Sequence, residues 1–555
     1  MIAFQERVLE LTKKLVQHPS IVGTIGERDM AYLIHEILND FSYFQEHPHL
    51  LKLVPTRQDE CERYNVLALV KGTASQSTET VILMGHMDTV DVDDYGRWKH
   101  LAFSPDELMK IWKKNDIPKL VAQDIESGDY VGGRGVLDMK SGVAINLALI
   151  EYFSQNPEQL HGNLLFVSEC DEEDNSKGIL SALNDIQRFA DDENLKYIAA
   201  INSDYTSPRY DQDPNRYVYL GTVGKLLPTF YVVGKETHVG QAFEGFDPNL
   251  VISELTARLS YNTDFCDEMF GEVTLPPVSL KQSDLKKKYD VQTPKSAFVY
   301  YNFFVHSWSP KKVLERLKEA ATGAFELAIT KYHTQYRQFC ELSGHAYIHE
   351  EIKPRVYTYD EFYQQCLERF GVEFEQKMLL YAMNLLNDQH LDIRDYSIKM
   401  AEELWKEGGD AEPVIILLYA SIYIPRVVLD ETDHRDQRLI DAVNQGVSEI
   451  EPHCEHPIHV RKFFPYISDM SFVAISDDED EVQAFERNMP AWGVKHQINM
   501  DAIRQLDVPV INIGPYGKDA HKQWERVELH YSMEVVPNLT LNVLKHLLGR
   551  LKPSS

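Results

Sequence analysis

The chain reads as an α/β protein: a central mixed sheet held between helices, with a smaller α+β lid domain inserted into it. Three observations predict this. Near-continuous apolar runs at 66–70, 80–84, 164–167 and 197–201 are rich in Val, Ile and Leu, as strands buried on both faces require. Segments with helical periodicity alternate with them. At 555 residues, the chain exceeds one ordinary domain.

In order, Phe4, Val8, Leu11 and Leu15 recur at helical spacing, and Met30 to Leu38 predicts a second helix. Strands follow at 66–70 and 80–84. Ser141 to Phe153 reads as a helix opened by the turn at Asp138, and the runs at 164–167 and 197–201 are further strands. A second unit begins near Gly221. There Leu226–Val233 and Ala297–Val305 predict strands. Pro248–Leu259 and Pro310 to about Tyr332 predict helices with Pro at their start. Arg355–Tyr359 predicts a closing strand. This β-α-β-α-β order suits a small sheet with helices on one face. The first pattern then resumes, with helix over about 359–407, strands at 414–422 and 509–513, and a last helix near 538–549. The expected division is therefore a discontinuous domain, 1–220 and 359–555, interrupted by 221–358.

Bulk properties narrow the function. A 43 % hydrophobic content suffices for real cores, and a formal net charge of -30 repels phosphate backbones, so nucleic acid is not expected as a partner. Met1 to Leu15 carries charges throughout and has no apolar signal region, and no stretch nears the ~18 apolar residues of a membrane helix. Six cysteines without a CxxC pair read as free thiols, which suits a cytoplasmic protein. The acidic run Asp477–Glu481 lacks the glycine and spaced ligands of a calcium loop and reads as a solvated loop.

Five short motifs carry the chemistry: Gly85-His86-Met87-Asp88, Gly133-Arg134-Gly135-Val136-Leu137-Asp138-Met139-Lys140, Asp171-Glu172-Glu173, Ser203-Asp204 and Ala520-His521. Most follow a predicted strand, and functional groups in open α/β sheets gather beyond the carboxyl ends of strands. Imidazole and carboxylate suit divalent cations, and two cations need one carboxylate able to bridge them. Asp138, after a glycine-rich turn, is the best candidate for that bridge; its bland role is a helix cap. Asp88 stands where it could accept the other ring N–H of His86 and fix its tautomer. Adjacent acids in Asp171-Glu172-Glu173 repel without a nearby cation. One can bind metal while its neighbour remains free as a general base.

These motifs resemble the co-catalytic zinc hydrolases that include aminoacylase, acetylornithine deacetylase, succinyl-diaminopimelate desuccinylase, glutamate carboxypeptidase and bacterial di- and tripeptidases. The match covers nearly the whole chain. The length and the Tyr466-Ile467-Ser468-Asp469-Met470-Ser471 stretch resemble the family's arginine-utilisation branch. The resemblance implies that His86 and Asp204 hold one Zn²⁺, that Glu173 and His521 hold the other, and that Asp138 bridges them. Glu172 would be the general base, and Asp88 would orient His86. His238, in Gly234-Lys235-Glu236-Thr237-His238, matches a lid histidine that steadies the oxyanion. Co²⁺ or Mn²⁺ suits the same ligands. The implied activity is hydrolysis of an amide bond in a short peptide or N-acyl amino acid by metal-activated water, with an arginine or amino-acid catabolic setting and a homodimer formed through the lid. The alternative is a catalytically silent relative serving as a binding scaffold. Lost ligands would mark that fate, and none is lost here.

The chain departs from the family pattern at three places. Ala242 stands where Pro is common, and Asn249 is displaced by two residues. No arginine occupies Val305-His306-Ser307-Trp308, where the family grips a substrate carboxylate; Asn302 and His306 are the substitutes at hand. A separate cluster, His453, Cys454, His456 and His459, is broken by Pro452 and Pro457 and reads as a polar loop rather than a metal site.

Overall fold

The structure is a computed structural model that describes residues 1–549 except Gln58, Gln389, Ala411 and Ile467. Ile467 of the Tyr466–Ser471 stretch thus lies outside the described residues. The chain forms two compact units, Met1–Thr222 with Val427–Ile475 and Asn499–Ser555, and Val223–Arg426 with Ser476–Ile498.

The first unit is built on an eight-stranded sheet. Its strands are β1 (Leu51–Pro55), β2 (Tyr64–Lys71), β3 (Glu79–His86), β4 (Asn163–Glu169), β5 (Lys196–Asn202), β6 (Arg216–Tyr219), β7 (Ile458–Arg461) and β8 (Val510–Asn512). Their order across the sheet is β1-β2-β4-β3-β5-β8-β6-β7. The centre, β4, β3, β5 and β8, is parallel, and β1, β2 and the β8–β6 pair are antiparallel to their neighbours. Residues 164–167 and 81–84 are all buried, which requires cover on both faces. The helices Gln5–Val16, Ile25–Asn39, Lys140–Gln155, Lys177–Glu193, His434–Ile450 and Val536–Leu548 each turn a buried apolar side inward. Each fully buried Leu, Ile or Val contributes about 1.5–3 kcal/mol.

The central helix Lys140–Gln155 is buried nearly all round. It approaches β5 so closely that a Cβ on Gly142 would lie 2.0 Å from the main-chain oxygen of Ser203. Only glycine fits there. Gly135, at φ +76°, makes the preceding turn.

The second unit has a sheet in the order Val278–Asp284, Ser296–Val305, Pro228–Val233, Val414–Tyr419, Val356–Thr358. Its pairings are antiparallel except the last, which is parallel. This unit extends beyond the expected 221–358. The helices Tyr359–Leu385 and Ile393–Gly408 and the strand Val414–Tyr419 belong to it, so the return to the first unit comes at 427 rather than 359. Val414–Tyr419 pairs with Pro228–Val233 along its whole length, and both strands are buried at every position. The centre of this sheet is therefore covered on both faces, where one covered face was expected. The helix from Pro310 runs to Ser343, well past Tyr332. The acidic run is not a loop. Asp478 caps the helix Glu479–Arg487 in a reciprocal box with Glu481, and Asp477 is buried against Arg426 and Tyr423.

Candidate metal centre

The parallel centre of the first sheet carries four strands whose carboxyl ends meet at one edge. His86 is the last residue of β3 and pairs in register with Glu169, the last of β4. Asp171-Glu172-Glu173 follows β4, and Asp204 follows β5. Asn512, at the end of β8, clamps the Asp204 backbone: its Oδ1 accepts the Asp204 N–H at 3.0 Å and its Nδ2 donates to the Asp204 carbonyl at 2.8 Å. His521 arrives from a loop between the short strands Gly517–Lys518 and Arg526–Glu528, with φ +62°.

These residues converge. One Asp138 carboxylate oxygen lies 3.1 Å from His86 Nε2, and the other lies 2.8 Å from His521 Nε2. Glu173 Oε1 is 3.0 Å from the same His521 nitrogen. Ligand atoms of His86, Asp138 and Glu173 all lie within 4.8 Å of one another. Glu172 Oε2 is 3.8 Å from His86 Nε2. Asp138 caps no helix: Met139 holds the N-cap position of Lys140–Gln155.

Three buried carboxylates hold this arrangement. The Asp88 carboxylate accepts the backbone N–H groups of Glu172 at 3.3 Å and Glu173 at 3.1 Å, fixing the loop that presents them. His86 Nδ1 lies 3.2 Å from the main-chain oxygen of Asp88 and 3.5 Å from its carboxylate, so Asp88 sets the imidazole through both. Glu525 accepts the N–H groups of Leu137 and Asp138 at 3.1 and 3.3 Å and pairs with Arg134 at 2.6 Å. Asp171, at φ +67°, is neutralised by Arg63, and its N–H donates to Glu27. Of the three adjacent acids, this first one is answered by an arginine rather than left to a cation.

The electrostatics call for positive charge. Burial drives Glu172 and Asp204 well above the usual carboxylate range. Burial also raises Glu173, and Asp138 adds to it. At Asp138, hydrogen bonds from His521 and His86 outweigh burial and hold it low. Burial opposes charge on His521, yet its bonds to Asp138 and Glu173 push it up to about 11. Burial likewise opposes charge on His86, but Glu172, Asp138 and Asp88 outweigh it and raise the imidazole. The donor set, imidazole and carboxylate with Asp138 facing both histidines, fits two divalent ions.

Residues 82–536 match peptidase family M20/M25/M40. The chain belongs to that family. Among its relatives, Protein RocB of Bacillus subtilis (strain 168) is 36 % identical over 543 residues, covering 98 % of this chain and 95 % of the relative. A succinyl-diaminopimelate desuccinylase of Psychrobacter arcticus is 23 % identical over 360 residues, covering 63 % of this chain and 77 % of the relative. A crystallised tripeptidase of Staphylococcus aureus shares the fold with a TM-score of 0.54 at 13 % identity, covering 98 % of both chains. Membership in the M20/M25/M40 family makes the protein a hydrolase of the metallopeptidase type.

His238 belongs to the second unit. It is exposed at the start of a short helical turn, Val239–Glu244, and its Nδ1 accepts the Gly240 N–H at 3.0 Å. That bond places the ring proton on Nε2. His306 is buried, its Nδ1 3.1 Å from the Glu272 carbonyl, and its N–H and those of Ser307 and Trp308 all donate to Asp267. The segment where the family carries an arginine is therefore held by Asp267, and His306 serves the packing of its own unit. Asn302 is half-buried. In the other histidine cluster, His459 contacts Asn215 at 3.1 Å and the Cys454 thiol donates to the Ile450 carbonyl. Among the described residues the only metal-like grouping is the one at His86. All six cysteines are free, and no described helix is long and apolar enough to cross a membrane.

Sequence reasoning missed Glu525, Arg63 and Glu27. Glu525 stands four residues after His521, a spacing that carried the signal. Arg63 and Glu27 carried none, because each sits among other charged residues and reads as solvated surface.

Proposed function

We propose that this protein is a dinuclear zinc amidohydrolase that cleaves a short peptide or N-acyl amino acid. The observation that carries the proposal is the Asp138 carboxylate, with one oxygen toward His86 and the other toward His521. His86 and Asp204 would hold one ion and Glu173 and His521 the other, with Asp138 shared between them. Two such ions would supply Lewis acidity toward the scissile carbonyl and the attacking water when bound.

Glu172 lies beside this group without a histidine of its own at bonding distance, which suits a proton carrier. It takes the proton of the attacking water and delivers it to the nitrogen as the C–N bond breaks, releasing a carboxylic acid and an amine. His238, with its proton on Nε2, donates to the developing oxyanion. The relatives named above include a peptidase and a desuccinylase, and both chemistries cleave an amide. The arginine-utilisation resemblance favours substrates from amino-acid catabolism.

The test is Glu172→Gln in the zinc-loaded protein, assayed against N-acyl amino acids and dipeptides, including arginine and ornithine derivatives. Metal content should stay at about two per chain while turnover falls by at least ~10²-fold, the usual contribution of a positioned base. A fully active variant would remove Glu172 from this role.

A further inference from the structure

Outside the acids and histidines, the first unit contains a cavity of about 880 Å³ whose lining includes Tyr205, Tyr466, Ala520 and Lys522. Tyr205 directly follows Asp204, and Ala520 and Lys522 flank His521. The His521 side chain is 47 % exposed, whereas those of His86, Asp138, Glu172 and Glu173 are at most 10 % exposed. His521 is thus the most exposed of these side chains, and its two chain neighbours line the cavity. Its volume is that of an ordinary small-molecule pocket.

One wall is aromatic. Tyr205 and Tyr466 stack with centroids 5.3 Å apart at 20°, and the Tyr466 hydroxyl is 2.7 Å from Ser207 Oγ. The inner charges on the lining are already answered within the protein. Arg216 binds Glu528 through two nitrogens and gives its third to the carbonyls of Pro214 and Asn215. Arg526 binds Asp124 and Asp519, and Lys518 binds both oxygens of Asp124. Asp213 takes the Tyr217 hydroxyl and two backbone N–H groups. A carboxylate or guanidinium reaching these inner groups would lose its hydration without gaining a free partner, while the remaining charges of the lining, Asp211 and Lys522, are exposed to solvent. An uncharged planar group would gain the face of a tyrosine.

We infer that this cavity is the subsite for an uncharged aromatic group of the substrate, and that the Tyr205–Tyr466 stack selects N-acyl amino acids or dipeptides bearing an aryl side chain or aryl acyl group. The inference rests on the proposed amide hydrolysis. A tyrosine contact of this kind is worth on the order of 10-fold.

The test compares kcat/KM of the zinc-loaded protein for N-acetylalanine, N-acetylphenylalanine, N-benzoylalanine and Nα-acetylarginine. At least one aryl substrate should exceed N-acetylalanine by about 10-fold. Tyr466→Ala should collapse that ratio to about 2-fold, and Tyr466→Phe, which keeps the ring and loses only the bond to Ser207, should preserve it. Equal rates for all four, an arginine preference, or an aryl advantage that survives Tyr466→Ala overturns the inference while leaving amide hydrolysis standing. If no substrate is cleaved, the proposed function fails on its own. The subsite is then decided by calorimetric binding of N-benzoylglycine against N-acetylglycine to wild type and Tyr466→Ala. A benzoyl preference that disappears in the variant supports it, and equal binding overturns it.

Discussion

Glu525 and Asp138 are 387 positions apart in the chain, yet the Asp138 N–H donates to Glu525 Oε1 at 3.3 Å. The other Glu525 oxygen is held by Arg134. The carboxylate that faces both histidines is thereby fixed from behind by its own backbone.

Asp138→Ala should lower metal content from about two ions per chain to fewer than one. Two cations ~3.5–4 Å apart repel strongly without an anion between them. Metal analysis after dialysis reads the result, and full retention of both ions would assign the bridge to another residue.

Metal affinity should rise with pH through the neutral range. His86 is raised and His521 is pushed to about 11 in the metal-free chain, whereas coordination needs neutral rings. Loading should therefore release protons, measurable by calorimetry in buffers of different ionisation enthalpy. The sign for stability is opposite. Because the folded His521 value is raised, its contribution to the metal-free protein is complete below the unfolded value of about 6.5. It is lost as pH climbs through about 11. Denaturation of the metal-free protein across that window should show the decline, and a flat profile contradicts the pairing.

His238→Ala should keep both ions and lower turnover by ~10²–10³, with KM changed far less, because an oxyanion donor acts chiefly in the transition state. Steady-state kinetics separates the two parameters. A rise in KM alone would make His238 a ground-state binding residue.

Arg63→Met should destabilise the first unit by ~3–5 kcal/mol, the usual effect of removing one partner from a buried ionic group. Arg63 is 3 % exposed and faces Glu27, Asp59 and Asp171, each at most 2 % exposed. Denaturant midpoints read the loss. An unchanged midpoint would mean that the three acids are satisfied without the guanidinium.

Much of this was legible in the sequence because strand ends announce themselves. His86, Glu172, Glu173 and Asp204 each follow an apolar run, and the structure brings them together with Asp138 and His521. The course after residue 358 was not legible. Val414–Tyr419 is a run of apolar residues that would suit the middle of either sheet, and only its register with Pro228–Val233 decides which. The supports were hidden for a related reason. Arg63 and Glu27 become a buried pair only through a fold that joins residues 36 positions apart, and no periodicity encodes that meeting.

The place of β8 in the first sheet also sets an order of events during synthesis. It lies between β5 and β6, whose residues are made some three hundred positions earlier. Until Val510–Asn512 emerges from the ribosome, the strands on either side have no common neighbour, and each leaves a bare hydrogen-bonding edge. Asn512, which clamps Asp204, and His521, which closes the acidic group, arrive in that same late stretch. The nascent chain therefore carries its acids without their final geometry for most of translation, and the candidate metal centre is among the last features of the molecule to form.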